Sequence, residues 1–165
     1  MIRPLRKEDK ELFFTLTREF YTPPAVLRPI SDGHRERTWA ELMRPDSVLE
    51  CCIFEQDGQA AGYTLLIRSF SQEAGGPILW VDELYVRPAF RSRGLGRELL
   101  RSLMARDDLA GLRLEVETEN PRAAELYRRL GFEALPYRPM IWINPAAKEN
   151  EAVYTGSFAA DEAKS

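Results

Sequence analysis

The sequence predicts a mixed α/β (α+β) domain in which strands and amphipathic helices alternate around one core. Three observations carry that prediction. Apolar residues alternate in some stretches and recur at helical spacing in others. The connections between those stretches are rich in Gly, Pro, Asn and Asp. The chain has 165 residues, 44% of them hydrophobic, which is long enough to bury a core without disulfide staples. The expected domain spans residues 1–145, with a polar tail over 146–165.

The elements follow in order. Residues 2–5 read as a short strand, and residues 7–20 as a helix with Phe13, Leu16 and Phe20 on one face. Tyr21-Thr22-Pro23-Pro24 breaks it. Ser31-Asp32 supplies cap candidates for a second helix that buries Trp39, Leu42 and Met43. Residues 48–55 and 60–69 form a hairpin turned at Gln56-Asp57-Gly58. Gly75-Gly76-Pro77 separates it from a strand over 78–86. Residues 94–110 are amphipathic through Leu95, Leu99, Leu103 and Met104, and 112–117 is the next strand. Asn120 caps a helix with Pro121 in its first position, where the missing N–H costs nothing, and Gly131 ends it. Residues 140–143 read as a closing strand.

Composition excludes several classes. No apolar run approaches the ~20 residues of a membrane span. The two cysteines, Cys51 and Cys52, are adjacent and point to opposite faces of a strand, so they make no disulfide framework. The first residues run into a charged helix without a signal-peptide pattern, and a reducing, cytoplasmic setting is expected. His34 is the single histidine, so no metal is expected.

The most informative run is Arg91-Ser92-Arg93-Gly94-Leu95-Gly96, between the apolar stretch 78–86 and the helix opened by Arg97-Glu98-Leu99-Leu100. Glycines let the main chain approach an anion, and a helix N-terminus offers free N–H groups with a partial positive charge. A dinucleotide fingerprint is excluded because its third glycine would fall at Leu99, and a Walker A loop lacks its Gly-Lys-Ser/Thr. Six arginines stand between positions 87 and 106 against one acid, Glu98, in a chain of net charge −3. Such a local strip suits a small polyanion and argues against nucleic acid, which meets a broader basic face.

Arg-x-x-Gly-x-Gly resembles the acyl-CoA signature of the GCN5-related N-acetyltransferase (GNAT) superfamily. The downstream segment Asn120-Pro121-Arg122-Ala123…Leu126-Tyr127-Arg128-Arg129-Leu130-Gly131-Phe132 resembles that family's second motif. The resemblance covers residues 78–132. It implies a central mixed, mostly antiparallel sheet with splayed strands flanked by helices, and acetyl-CoA as cosubstrate. It further implies that Leu84, Tyr85 and Val86 meet the pantetheine arm, and that Arg91, Ser92, Arg93, Gly94, Leu95, Gly96 and Arg97 hold the pyrophosphate. Asn120, Ala123 and Tyr127 complete the cofactor set.

Acyl transfer to an amine needs a neutral nitrogen, a polarised carbonyl and a proton for the departing thiolate. Tyr127 resembles the family's general acid, the alternative being a core aromatic on a helical stripe. Asp82 and Glu115 align with the acids that serve as base in different branches, the alternative for each being a hydrogen-bonded carboxylate at a strand edge. The backbone N–H of Leu84 or Val86 is a candidate oxyanion donor. Tyr21, Asp82, Glu83 and Glu117 are candidate substrate residues, because carboxylates near the strand ends attract a cation, and the loop at Pro23-Pro24 is a candidate substrate wall. The expected acceptor is a small cationic amine, a diamine, polyamine or amino-acid-like compound. A protein N-terminus or lysine is the alternative within the class, and a non-catalytic acyl-CoA-binding module the alternative outside it. The oligomeric state stays open, a homodimer included.

Overall fold

A computed structural model describes residues 1–22 and 30–144. Residues Met1–Phe132 form one compact unit and Glu133–Ser165 a second. The Pro23-Pro24 loop and the tail from 146 lie outside the described residues.

The first unit is built on one five-stranded sheet: β1 (Ile2–Pro4), β2 (Leu49–Gln56), β3 (Gln59–Ser71), β4 (Gly76–Val86) and β5 (Gly111–Leu114), in spatial order of sequence. The first four pair antiparallel, and β5 joins β4 in parallel. A parallel partner needs a crossover, and α3 (Leu95–Met104) supplies it. The β2–β3 hairpin turns at Asp57-Gly58, both with positive φ (52° and 72°), the two-residue turn whose twist matches the strands.

Two apolar clusters flank the sheet. On one face α1 (Lys10–Phe20) and α2 (Asp32–Leu42) bring Phe13, Phe14, Leu16 and Trp39 onto Cys51, Ile53, Tyr63 and Leu65. On the other, α3 buries Leu95, Leu99, Leu100 and Leu103 against Phe54, Leu66, Leu79 and Val81. Each such side chain contributes about 1.5–3 kcal/mol by leaving water. Tyr127, Leu130 and Phe132, from α4 (Pro121–Arg129) and just beyond it, pack against the same cluster. A short 3₁₀ turn, Lys7–Asp9, leads into α1. There the buried Asp9 accepts both Arg3 Nη atoms (2.7 and 2.9 Å) and the Arg6 N–H (2.7 Å), fixing β1 to the helix entry.

Three expectations are corrected. The helix read as reaching residue 110 ends at Met104. Asp107 and Asp108 follow, where the negative helix end disfavours acids, and Arg106 binds Asp108 and Glu50 while the Ala110 N–H reaches Pro77 O at 2.6 Å to start β5. The strand read as 112–117 ends at Leu114, because β4 offers no rung beyond Val81. Residues 133–144 form neither helix nor strand, against the closing strand expected over 140–143. A strand needs a ladder partner, and an unbroken quartet without alternation gives no face to bury; Met140 and Trp142 are 96% and 79% exposed.

Candidate active site

The site begins where the sheet comes apart. β4 and β5 share rungs from Ile78↔Gly111 to Val81↔Leu114 and none after. At the same point β4 slips one residue against β3, with Leu66 opposite Val81 and Leu65 opposite Glu83. Asp82 is therefore the extra residue of a β-bulge, which re-aims side chains and bends the strand. Beyond it, the β5-facing edge of β4 has no strand partner among the described residues. A cleft of about 940 Å³ opens there.

One wall of the cleft is Leu84, Tyr85 and Val86; the other is Glu115, Val116 and Glu117 with Asn120, Ala123 and Tyr127 of the α4 segment. Residues 91–97 close one end, and Asp82 and Phe20 also line it. The two motifs, over 20 residues apart in the chain, thus meet around one cavity. Arg87 is clamped by Glu19 (2.8 and 2.7 Å), which ties α1 beside Phe20 to the end of β4.

The loop is arranged for an anion. Gly94 is the N-cap of α3 at φ 86°, and no side chain caps the helix, so its first N–H groups stay available. A Cβ on Gly96 would meet only Leu84 Cδ2, at 3.6 Å. Arg91 Nε donates to Val86 O (2.9 Å), and Arg93 pairs with Asp57 (3.2 Å) over the Phe90 ring. Ser92, at φ 66°, accepts from Arg122 Nη2 (2.8 Å). This donor set and unpaired strand edge fit a phosphate-bearing thioester with an amide-containing arm, and the residues expected to hold one are the ones lining the cleft.

Tyr127 packs edge-on against Phe132, with ring centroids 5.9 Å apart. Burial alone raises its phenol, and among the described residues its hydroxyl has no hydrogen-bond partner. Asn120 caps α4, its Oδ1 accepting from the Ala123 N–H at 3.1 Å, and its amide NH₂ remains for a ligand. The Asp82 carboxyl is pushed up, first by burial and then by the charge of Glu115 across the opening. Such a carboxyl holds a proton more tightly than a free one and is the better base.

Tyr21 and Glu83 stand apart from the cleft lining. Glu83 faces the α1–α2 layer, is 7% exposed, and accepts the hydroxyls of Tyr21 and Tyr63, each at 2.5 Å. Burial raises its carboxyl, and the two donors pull the other way. His34 lies in the first turn of α2, its N–H and ring engaging the capping Ser31. Among the described residues no cluster of His, Cys, Asp or Glu could hold a metal ion, and no helix is long and apolar enough to cross a membrane. Cys51 is buried and desolvation raises its thiol, which disfavours a thiolate.

Sequence reasoning read Phe20 only as part of an apolar helix face and gave Arg122 no role at the site, although both line the cleft. Nothing in a single arginine within a helical first turn separates it from a solvated one; its reach to Ser92 exists only once α4 and the loop are side by side.

A model described as the acetyltransferase (GNAT) family matches residues 11–132. The chain is 32% identical over 126 residues to the uncharacterized N-acetyltransferase YhfO of Bacillus subtilis, covering 73% of this chain and 78% of that one. It is 33% identical over 101 residues to the streptothricin acetyltransferase of Streptomyces lavendulae, covering 59% and 51%. The chain therefore spans about half of that relative, and between 16% and 45% of four others it matches. Among solved structures, the aminoglycoside N-acetyltransferase AAC(6')-Iy in complex with CoA superposes with a TM-score of 0.69 at 19% identity, covering 88% of this chain and 94% of that one.

Proposed function

The chain belongs to the acetyltransferase (GNAT) family, and on that premise we propose that its cleft moves an acetyl group from acetyl-CoA directly to the nitrogen of a small cationic amine. The observation that carries the reading is the parting of β4 from β5 beyond Val81↔Leu114. It leaves a cleft with a helix N-terminus that no side chain among the described residues caps at one end and, in its wall, the Tyr127 hydroxyl, unpartnered among the same residues.

When bound, acetyl-CoA supplies the acyl group as an activated thioester. The chain's own residues do the rest. The α3 N-terminus with Arg91 and Arg97 binds the pyrophosphate, and the free edge of β4 at Leu84 to Val86 orients the amide-bearing arm. An alkylammonium, with a pKa near ~10.4, must lose a proton before its nitrogen can attack. Asp82 takes that proton, directly or through a water, and Glu115 and Glu117 hold the cation at the mouth. As the carbon–nitrogen bond forms and the carbon–sulfur bond breaks, the Tyr127 hydroxyl gives its proton to the departing sulfur. An N–H of Leu84 or Val86 stabilises the carbonyl oxygen, a contribution of roughly 3 kcal/mol per donor in other acyl transfers.

The acidic mouth favours a cation of small size, and the streptothricin acetyltransferase relative is consistent with a small-molecule acceptor. The test is turnover of acetyl-CoA with a panel of diamines, polyamines, amino acids, aminoglycosides and N-terminal peptides, read by thiol release and product mass. Acetylation confined to peptides would replace the small amine by a protein N-terminus or lysine. Binding of acetyl-CoA without turnover of any amine would leave a binding module.

A further inference from the structure

We propose that Glu83, buried behind the cleft, is a positioning residue for the acceptor amine: through the Tyr21 hydroxyl it holds Phe20 in the cleft wall at a fixed distance from Asp82. The proposal rests on the cleft being the site of amine acetylation. Glu83 is 7% exposed, and both of its carboxylate oxygens accept neutral hydroxyls, Oε1 that of Tyr21 and Oε2 that of Tyr63, each at 2.5 Å. A buried carboxylate held in this way costs desolvation that a packed apolar side chain would not. Stability is therefore a poor account of it, and what the arrangement supplies is fixed geometry.

Each anchor belongs to a different part of the fold. Tyr63 is fully buried in β3, and Tyr21 closes α1 with its N–H on Thr17 O at 2.9 Å. Thr64 Oγ1 donates to the Glu83 carbonyl at 2.8 Å. Glu83 thus joins the end of α1 to the stretch of β4 that follows the bulged Asp82. Phe20 precedes Tyr21, and their rings meet edge-on with centroids 5.1 Å apart. The Phe20 ring also packs against Tyr63 at 6.2 Å and Tyr85 at 5.9 Å. Phe20, Tyr85 and Asp82 all line the cleft. Phe20 belongs to the α1–α2 layer, whereas α3 lies on the other face of the sheet, so Phe20 meets the cleft from the side away from the phosphate end. An aromatic ring beside a carboxylate suits an alkylammonium, whose stem packs on the ring while its charge stays near the acid.

The experiment is steady-state kinetics on the full-length wild type, Tyr21→Phe, Glu83→Gln, Phe20→Ala and the Phe20→Ala/Tyr21→Phe double variant. The substrates are acetyl-CoA and the amine of the panel above that the wild type acetylates fastest, and hydrogen exchange over α1 and melting temperature are read alongside. Tyr21→Phe removes one hydroxyl and keeps the ring; it should raise the KM for the amine about fivefold or more and leave that for acetyl-CoA within about twofold. It should also speed exchange at the end of α1. Glu83→Gln, with one acceptor oxygen in place of two, should move the same quantities in the same direction. Phe20→Ala should raise the amine KM, and adding Tyr21→Phe to it should change nothing further, since the hydroxyl acts through that ring. A lower melting temperature with both KM values unmoved would show a structural tie only and overturn the proposal. An effect of Tyr21→Phe that persists in full without Phe20 would show the hydroxyl meeting the amine itself, which overturns it as well. Either result leaves acetyl transfer by the wild type intact; if the wild type acetylates no amine, the transfer reading fails and this proposal with it.

Discussion

Val81 faces Leu114 across the last rung of the parallel ladder, and one residue later Asp82 bulges out of β4. The same step ends the pairing with β5, opens the cleft and sets a carboxylate at its mouth. Without the bulge, alternation would carry Asp82 and Leu84 to the same face; with it, Leu84 joins Val81 over the α3 cluster and Glu83 turns inward to the α1–α2 layer.

Gly96→Ala should separate binding from stability. The new Cβ touches only Leu84 Cδ2, and alanine is the better helix former by up to about 1 kcal/mol, so the melting temperature should hold or rise. The methyl group nevertheless intrudes where backbone N–H groups must approach a phosphate, and the KM for acetyl-CoA should climb by roughly tenfold. Calorimetry with acetyl-CoA checks it; unchanged affinity removes the loop from the cofactor site.

Tyr127→Phe should leave folding nearly untouched, since the hydroxyl makes no hydrogen bond among the described residues and the ring keeps its contact with Phe132. A change within about 1 kcal/mol is expected. If the hydroxyl protonates the leaving sulfur, kcat should fall by about 10²-fold or more with acetyl-CoA affinity constant. A near-normal kcat under chemistry-limited conditions would return the residue to a packing role.

Activity should rise with pH as Asp82 loses its proton and the acceptor amine loses its own. The Asp82 carboxyl is raised by burial and by Glu115, so the acidic limb of kcat/KM should lie above that of an ordinary aspartate. Removing the neighbouring charge with Glu115→Gln should move that limb to lower pH, and Asp82→Asn should abolish it. A profile identical in all three proteins would show that neither carboxylate is the base.

The Arg3–Asp9 pair should make stability pH-dependent. Asp9 is held below the usual aspartate value chiefly by its hydrogen bond to Arg3. A depressed folded pKa means stability that is fully present above the unfolded value of about 3.9 and is lost as the pH falls through the folded one. Asp9→Asn should therefore cost about 2 kcal/mol at neutral pH, and the gap to wild type should shrink in acid. Parallel denaturation curves at pH 7 and pH 3 measure it; a cost that is the same at both contradicts the pairing as its source.

Much of the fold was legible because it rests on local rules. Asn120 before Pro121 marks a helix start whatever surrounds it, and Asp57-Gly58 specifies a two-residue turn through backbone conformations those residues tolerate. The helix ends were harder. Residues 105–110 read as an extension of α3, but the Arg106 link to Glu50 and the pull of Pro77 O on Ala110 come from strands distant in sequence. The quartet 140–143 has strand composition but no partner among the described residues, and no local rule supplies one.

What the sequence determined by itself was the chemistry available: a glycine-rich turn into a helix, arginines around it, a tyrosine in a recognisable segment, and neighbouring acids on a strand. Spacing along the chain is enough to specify these, because each depends on a few adjacent residues. Which acid faces the cleft was decided only by tertiary structure, since the slip between Leu65 and Leu66 is a relation between two strands and leaves no mark on either alone. The same holds for the two hydroxyls that meet Glu83, from Tyr21 and Tyr63, and for Arg122 reaching Ser92 across 30 residues of chain. Side-chain partners that far apart in sequence become neighbours only through the packing of the elements that carry them.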